Sequence, residues 1–197
     1  MPDAPQEAQK PDTFEYDPLK LMTKDEYFKS RTEAPFLDQR AAFQKDKLIY
    51  HSPPLREALE VAGYVKARLF IELNVPDTDL AVALYEIRPD GQSIYLAEDF
   101  MRARYRESLS KAELVKPGEI NEYVFERAYF FVRKLEKGSR LRLVVSCLNS
   151  PDFEKNYNSG RVVAQETAED ARTAVIKLYH DKNHPSLIEL PIIHLIF

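Results

Sequence analysis

Apolar and polar positions alternate along the chain from about residue 48 onward. In "YVKARLFIEL", Val65, Ala67, Leu69, Ile71 and Leu73 take every second position between mostly polar neighbours. That is the period of a strand with one buried face. "LAVALYEI" is more continuously apolar, as expected of a central strand covered on both sides. "RPDGQSIYLA" places Asp90-Gly91 between two apolar runs, which predicts a hairpin. "KPGE" and "EKGS" read as further turns, the second leading into the strand-like "RLRLVVSCL". "TAVIKLYH" and "SLIELPIIHLI" flank the turn-forming "DKNHP", and "ETAEDARTAV" has the propensity for a helical turn. Roughly eight to ten strands without a long helix predict an all-β sandwich or barrel.

Proline and glycine divide the chain in two. Seven of the 13 prolines fall within the first 54 residues, and all five glycines lie at Gly63 or later. The expected organisation is an N-terminal arm, residues 1–47, and a β body, residues 48–197. In the arm, "PDTFEYDPLKL" favours extended backbone, while either "TKDEYFKSR" or "LDQRAAFQ" could be a short helix. Its apolar residues (Phe14, Tyr16, Leu19, Phe28, Phe36, Leu37, Phe43) need a surface to cover, so the arm reads as a strap.

Composition narrows the partners. The length of 197 residues suits one domain with an attached arm, and 44% hydrophobic with 30% charged residues is ordinary for a globular protein. A net charge of −4 argues against a nucleic-acid binder, whose footprint is a basic domain. No apolar run approaches the roughly 18 residues of a membrane span, and "MPDAPQEAQK" has neither a basic start nor an apolar core. The expected location is the cytoplasm, with no membrane partner. Cys147, within "LRLVVSCLN", is the only cysteine and reads as a buried small hydrophobe.

Against that acidic background the run "MRARYRES" stands out. In a strand, Arg102, Arg104 and Arg106 would share one face, giving an anion-binding surface, a face that salt-bridges within the protein, or a solvated edge. The acidic balance leaves carboxylates as the simpler counterions. Asp77 and Asp79 in "PDTD" could hold calcium through oxygen ligands, or bond to loop amides and fix a turn. The pair His180 and His184 has a metal-compatible spacing, yet Pro185 and its polar neighbours predict a turn instead. "GQSIY" approaches a nucleophile elbow, but Tyr95 replaces the second glycine and the segment reads as a hairpin. Walker, dinucleotide and zinc patterns are missing, so no catalytic residue, cofactor or firm metal site is predicted. The loop "NSPDFEKNYNSGR" offers Phe153, Asn156, Tyr157 and Asn158 as a possible sugar-binding face, or a polar loop pinned by its two aromatics.

Several stretches taken in order resemble a known family: "PDTFEYDPL", "LIYHSPPLREALEVAGYV", "DTDLAVALYEIRPDGQS", "MRARYRES", "KPGE", "KGSRLRLVVSCLNSPDFEKNYNSG" and "HPSLIELPI". They are similar to successive segments of the C-terminal domain of the Xaa-Pro dipeptidyl-peptidase and cocaine-esterase-type (CocE/NonD) serine hydrolases, from about residue 11 to residue 193. The resemblance implies a jelly-roll β-sandwich of the galactose-binding-like type. In the family the Ser-Asp-His triad belongs to an α/β-hydrolase domain, so the resemblance implies a stand-alone C-terminal domain without the triad. Ser139 stands where the family often has histidine, and "NSPDF" where it is closer to "NFPRF". The implied function is a non-catalytic domain that packs on a hydrolase domain from another chain, or forms a homodimer to hide its apolar surface. The alternative is a free-standing carbohydrate-binding module, on fold analogy alone.

Overall fold

The structure, a computed structural model, describes residues 9–20, 46–150 and 152–193. Both candidate helical stretches of the arm, with Phe28, Phe36, Leu37 and Phe43, lie outside the described residues.

Eleven strands are present among the described residues: β1 (Asp12–Tyr16), β2 (Lys47–His51), β3 (Leu59–Gly63), β4 (Lys66–Leu73), β5 (Asp79–Ile87), β6 (Ser93–Arg102), β7 (Ile120–Phe125), β8 (Phe131–Leu135), β9 (Arg140–Cys147), β10 (Ala174–Tyr179) and β11 (Leu187–Glu189). Every pairing between them is antiparallel. One sheet runs β1-β10-β4-β11, with β7 on the other edge of β4. The second runs β2-β9-β5-β6, and β3 with β8 forms a separate ribbon. This is a β-sandwich, as the alternation predicts.

The alternating residues of β4 are buried as expected, and the core lies between the two sheets. Leu69, Ile71, Leu73, Tyr123, Phe125 and Ile176 of the first sheet meet Leu80, Val82, Val145 and Cys147 of the second. A smaller cluster of Val61, Val65, Leu84, Leu96, Leu135 and Leu141 fills the space under the ribbon. Cys147 is buried in the main core, and that burial pushes its thiol up to about 12, so it acts as a hydrophobe. The expected central strand is β5, flanked by β9 and β6.

Asp90-Gly91 closes the β5–β6 hairpin, with the Gly91 N–H donating to the Arg88 carbonyl and Gly91 at φ +88. Farther along, Leu84 pairs with Ala97 while Tyr85 pairs with Tyr95. Leu96 is therefore the extra residue of a bulge, which keeps both Leu96 and Ala97 buried.

The arm contributes directly to the sandwich. "DTFEY" is β1, an edge strand on β10, and it buries Phe14 and Tyr16 in the main core. The "ETAEDARTAV" segment begins with a single 3-10 turn, Ala168–Asp170, capped by a reciprocal Thr167–Asp170 box.

Candidate interaction site

The arginine row sits where β5 begins and β6 and β9 end. Strand alternation does not extend through it, because β6 stops at Arg102 and Ala103–Tyr105 forms a 3-10 turn. The three side chains bind separate partners of the same domain. Arg102 forms a two-pronged pair with Asp79, Nε to Oδ1 at 2.8 Å and Nη2 to Oδ2 at 3.0 Å. Arg104 donates from Nε to Asp77 Oδ2 at 2.8 Å and from its backbone N–H to Oδ1 at 2.9 Å. Its Nη2 also reaches the Arg161 carbonyl at 2.8 Å. Arg106 donates to Asn121 Oδ1 at 3.2 Å and to the Glu113 carbonyl at 2.8 Å.

Asp77 and Asp79 are thus engaged, by guanidinium groups and by the Arg104 backbone N–H, at the oxygens a calcium ion would need. Among the described residues no three His, Cys, Asp or Glu side chains converge as a metal site. Burial raises the Asp77 carboxyl above the usual aspartate range, outweighing the pull of Arg104 and the hydrogen bonds it accepts. His180 and His184 go to different carboxylates, Asp12 at 3.2 Å and Asp181 at 3.2 Å. Capping of that turn falls to Asp181, which accepts the backbone N–H groups of Asn183 and His184. Ser93 is buried at the start of β6, directly after the hairpin.

The loop after β9 is fastened to this network. Asn156, buried, donates from Nδ2 to Asp77 Oδ2 at 2.8 Å and to Asp79 Oδ1 at 3.0 Å. Asn158, also buried, sits at φ +65, accepted more readily by asparagine than by most residues. Its Nδ2 bonds to the Arg172 carbonyl at 2.7 Å. Glu166 gathers the backbone N–H groups of Tyr157 and Ser159 and the Ser159 hydroxyl. Two of the four residues considered for a sugar face, Asn156 and Asn158, are therefore turned inward with their side-chain NH2 groups in use. Tyr157 is half-buried, and Phe153 is exposed against the Phe100 ring at 5.3 Å. Phe153, Phe100, Tyr105 and Leu148 line an open depression of ≈ 270 Å³ beside Arg102.

Gly160 locks the loop down. It lies at φ +84, and a Cβ there would come within 2.8 Å of the Pro76 ring at the entrance to β5. Gly160→Ala is expected to cost about 1–3 kcal/mol through backbone strain and the clash. Chemical denaturation of the variant checks this.

Two polar clusters at the other end of the second sheet were not identified from sequence. Glu86 is fully buried, yet it accepts Arg133 Nε at 2.6 Å, Ser139 Oγ at 2.8 Å and the Glu136 backbone N–H at 3.1 Å. Burial would raise its carboxyl, but these donors outweigh it and hold the group below the ordinary range. The signal was the register: Glu86 falls in the inward series Leu80, Val82, Leu84. On the outward face, Arg142 Nε donates to His51 Nε2 at 2.9 Å. The outer face of the β3–β8 ribbon carries an exposed apolar patch. There Tyr64 and Phe130 meet edge to face at 5.5 Å; Val132, two residues on in the chain, is 70% exposed, and Tyr129, the residue before Phe130, is exposed as well.

Comparison with known proteins places this sandwich. Residues 4–189 match the family described as the X-Pro dipeptidyl-peptidase C-terminal non-catalytic domain. The chain is 38% identical over 157 residues to the cocaine esterase of Rhodococcus sp. (strain MB1 Bresler), covering 79% of this chain and 27% of that protein. An aminopeptidase from a marine-sediment Thaumarchaeota archaeon superimposes with a TM-score of 0.84 at 26% identity, over 98% of this chain and 34% of its own. An α-amino acid ester hydrolase shares the fold, with a TM-score of 0.81 at 22% identity over 93% of this chain and 33% of that one. The chain thus spans about a quarter to a third of the length of these relatives. With the matched family model running through nearly all of the described β-sandwich, the chain belongs to the X-Pro dipeptidyl-peptidase C-terminal non-catalytic domain family.

Proposed function

We propose that this domain packs on a serine-hydrolase catalytic domain and helps wall its substrate cleft. The observation that carries the reading is the family match over residues 4–189, to a domain described as non-catalytic. The internal pairing of Arg102, Arg104 and Arg106 agrees with it, since these cations build the scaffold. The ribbon patch of Tyr64, Tyr129, Phe130 and Val132 is our choice for the packing surface, because contiguous exposed apolar residues mark interaction sites. A stable contact would bury about 1,200–2,000 Å² in total, with these aromatics near its centre.

A chimera tests the reading. The Rhodococcus cocaine esterase would have its matched C-terminal quarter replaced by this chain. The chimera is expected to hydrolyse ester substrate well above the truncated enzyme lacking that quarter. Introducing Phe130→Lys with Val132→Lys should lower that activity about tenfold or more, about 1.4 kcal/mol of lost coupling. A chimera no better than the truncated enzyme, or indifferent to the lysines, would refute the packing role. Purified alone, the chain is expected to turn over neither p-nitrophenyl esters nor Xaa-Pro anilides. Turnover abolished by a serine-directed inhibitor would contradict the reading directly.

A further inference from the structure

A row of outward-facing side chains crosses the second sheet near its hairpin end. The register places His51 of β2 opposite Arg142 of β9, Arg142 opposite Tyr85 of β5, and Tyr85 opposite Tyr95 of β6. The two tyrosine rings meet edge to face at 5.7 Å. Arg140 lies one step along the same face of β9 and donates to the Ser52 carbonyl at 2.9 Å.

Arg142 differs from the other arginines packed into this domain. Arg102, Arg104 and Arg133 each face a carboxylate at 2.6–2.8 Å. Arg142 is only 6% exposed, and its protein acceptor among the described residues is the neutral ring of His51. Its Nη2 is buried with no hydrogen-bond partner among the described residues. A guanidinium at this depth is normally paired, because desolvating it without a counter-charge costs several kcal/mol. Burial accordingly lowers its pKa.

The geometry also defines how a ligand would approach. Arginine only donates, so His51 Nε2 must be the acceptor and Nδ1 carries the imidazole proton. The Nε edge of the guanidinium is taken by that bond. Nη2 is left without a hydrogen-bond partner among the described residues, and the N–H groups of a guanidinium match the two oxygens of a carboxylate. His51, whose ring accepts that bond, is exposed.

We propose that Arg142, flanked by His51 and Arg140 and backed by Tyr85, is a binding site for a carboxylate. This stands independently of the packing role and uses none of its surface residues. The test uses the full chain and follows the side-chain NMR signals of Arg142 and His51. Sodium acetate is titrated against sodium chloride at equal ionic strength. The peptide acetyl-Ala-Glu-Ala-amide is titrated against its glutamine counterpart.

Saturable shifts with acetate or the glutamate peptide, and none with chloride or the glutamine peptide, are expected. Equal responses assign a small free carboxylate, and a stronger response to the peptide assigns an acidic side chain of a polypeptide. Arg142→Lys should weaken the response and Arg142→Met should abolish it. Arg142→Met should also keep the melting temperature within about 3 °C of the parent, because it removes a buried charge that has no carboxylate partner among the described residues. No response to either carboxylate would overturn the proposal. So would a larger loss of melting temperature in Arg142→Met, which would show that the guanidinium already serves the fold.

Discussion

Arg104→Ala is expected to lower the stability of the domain by about 3–5 kcal/mol, the cost of breaking a buried ion pair from one side. Asp77 is fully buried and the Arg104 side chain is only 11% exposed, so little water is available to replace the guanidinium. The substitution also releases the Arg161 carbonyl and so frees one end of the loop that Asn156 holds. Acidification should reduce the loss. The Asp77 carboxyl already lies above the ordinary aspartate value of 3.8 in the folded protein, and loss of Arg104 raises it further. A folded-state value above the unfolded one means that folding takes up a proton, so the variant's deficit shrinks as pH falls from 7 toward the ordinary aspartate range. Asp77→Asn in the same background should recover part of the deficit at neutral pH by removing the stranded charge. Urea unfolding of the three proteins at two pH values checks the set, and a deficit independent of pH would separate the instability from Asp77.

Glu86→Ala is the second large effect, again about 3–5 kcal/mol, for the complementary reason. The substitution leaves the buried Ser139 hydroxyl, the Glu136 N–H and the Arg133 guanidinium without their shared acceptor. The ribbon β3–β8 would lose its polar attachment to β5 while Val61 and Leu135 remain packed beneath it. The pH dependence has the opposite sign to that of Asp77. The folded carboxyl of Glu86 lies below the ordinary glutamate value of 4.5, so its stabilising contribution is complete above that value. It is lost as pH falls through the depressed folded value. The parent should therefore lose stability in acid more steeply than Glu86→Ala. Thermal unfolding of both proteins across the acid range measures it, and parallel curves would contradict the assignment.

Much of the fold was legible because strand alternation is a local property. Val65, Ala67, Leu69, Ile71 and Leu73 had only to keep step with one another, and Asp90-Gly91 only to close on its neighbours. The Leu96 bulge was not legible, since an extra residue in β6 is defined only against β5. A strand through the arginine row would put all three side chains on one face, but no local signal marks where β6 ends. Its partners Asp77 and Asp79 drew attention separately, as oxygen ligands in a turn. Their pairing with the arginines depends on the β5–β6 register, which brings Asp79 opposite Arg102. Asn156 and Asn158 looked like surface residues because loops rich in asparagine usually are. Only the folded chain brings Asn156 onto two carboxylates some 80 positions earlier. The burial of Glu86 is legible in the same way, since its inward parity can be counted directly from "LAVALYEI".

Strand β1 sets an order on the making of the domain. Its hydrogen-bonding partner is β10, so residues 12–16 of the chain must meet residues 174–179. On a ribosome adding about 5–20 residues per second, the first strand waits roughly ten to thirty seconds for the other half of its ladder. Throughout that interval Phe14 and Tyr16 lack the surface that buries them, and the edge of β4 that β10 will occupy stands open. Closure of the first sheet is therefore a late event, and the growing chain is most exposed to edge-to-edge association just before it.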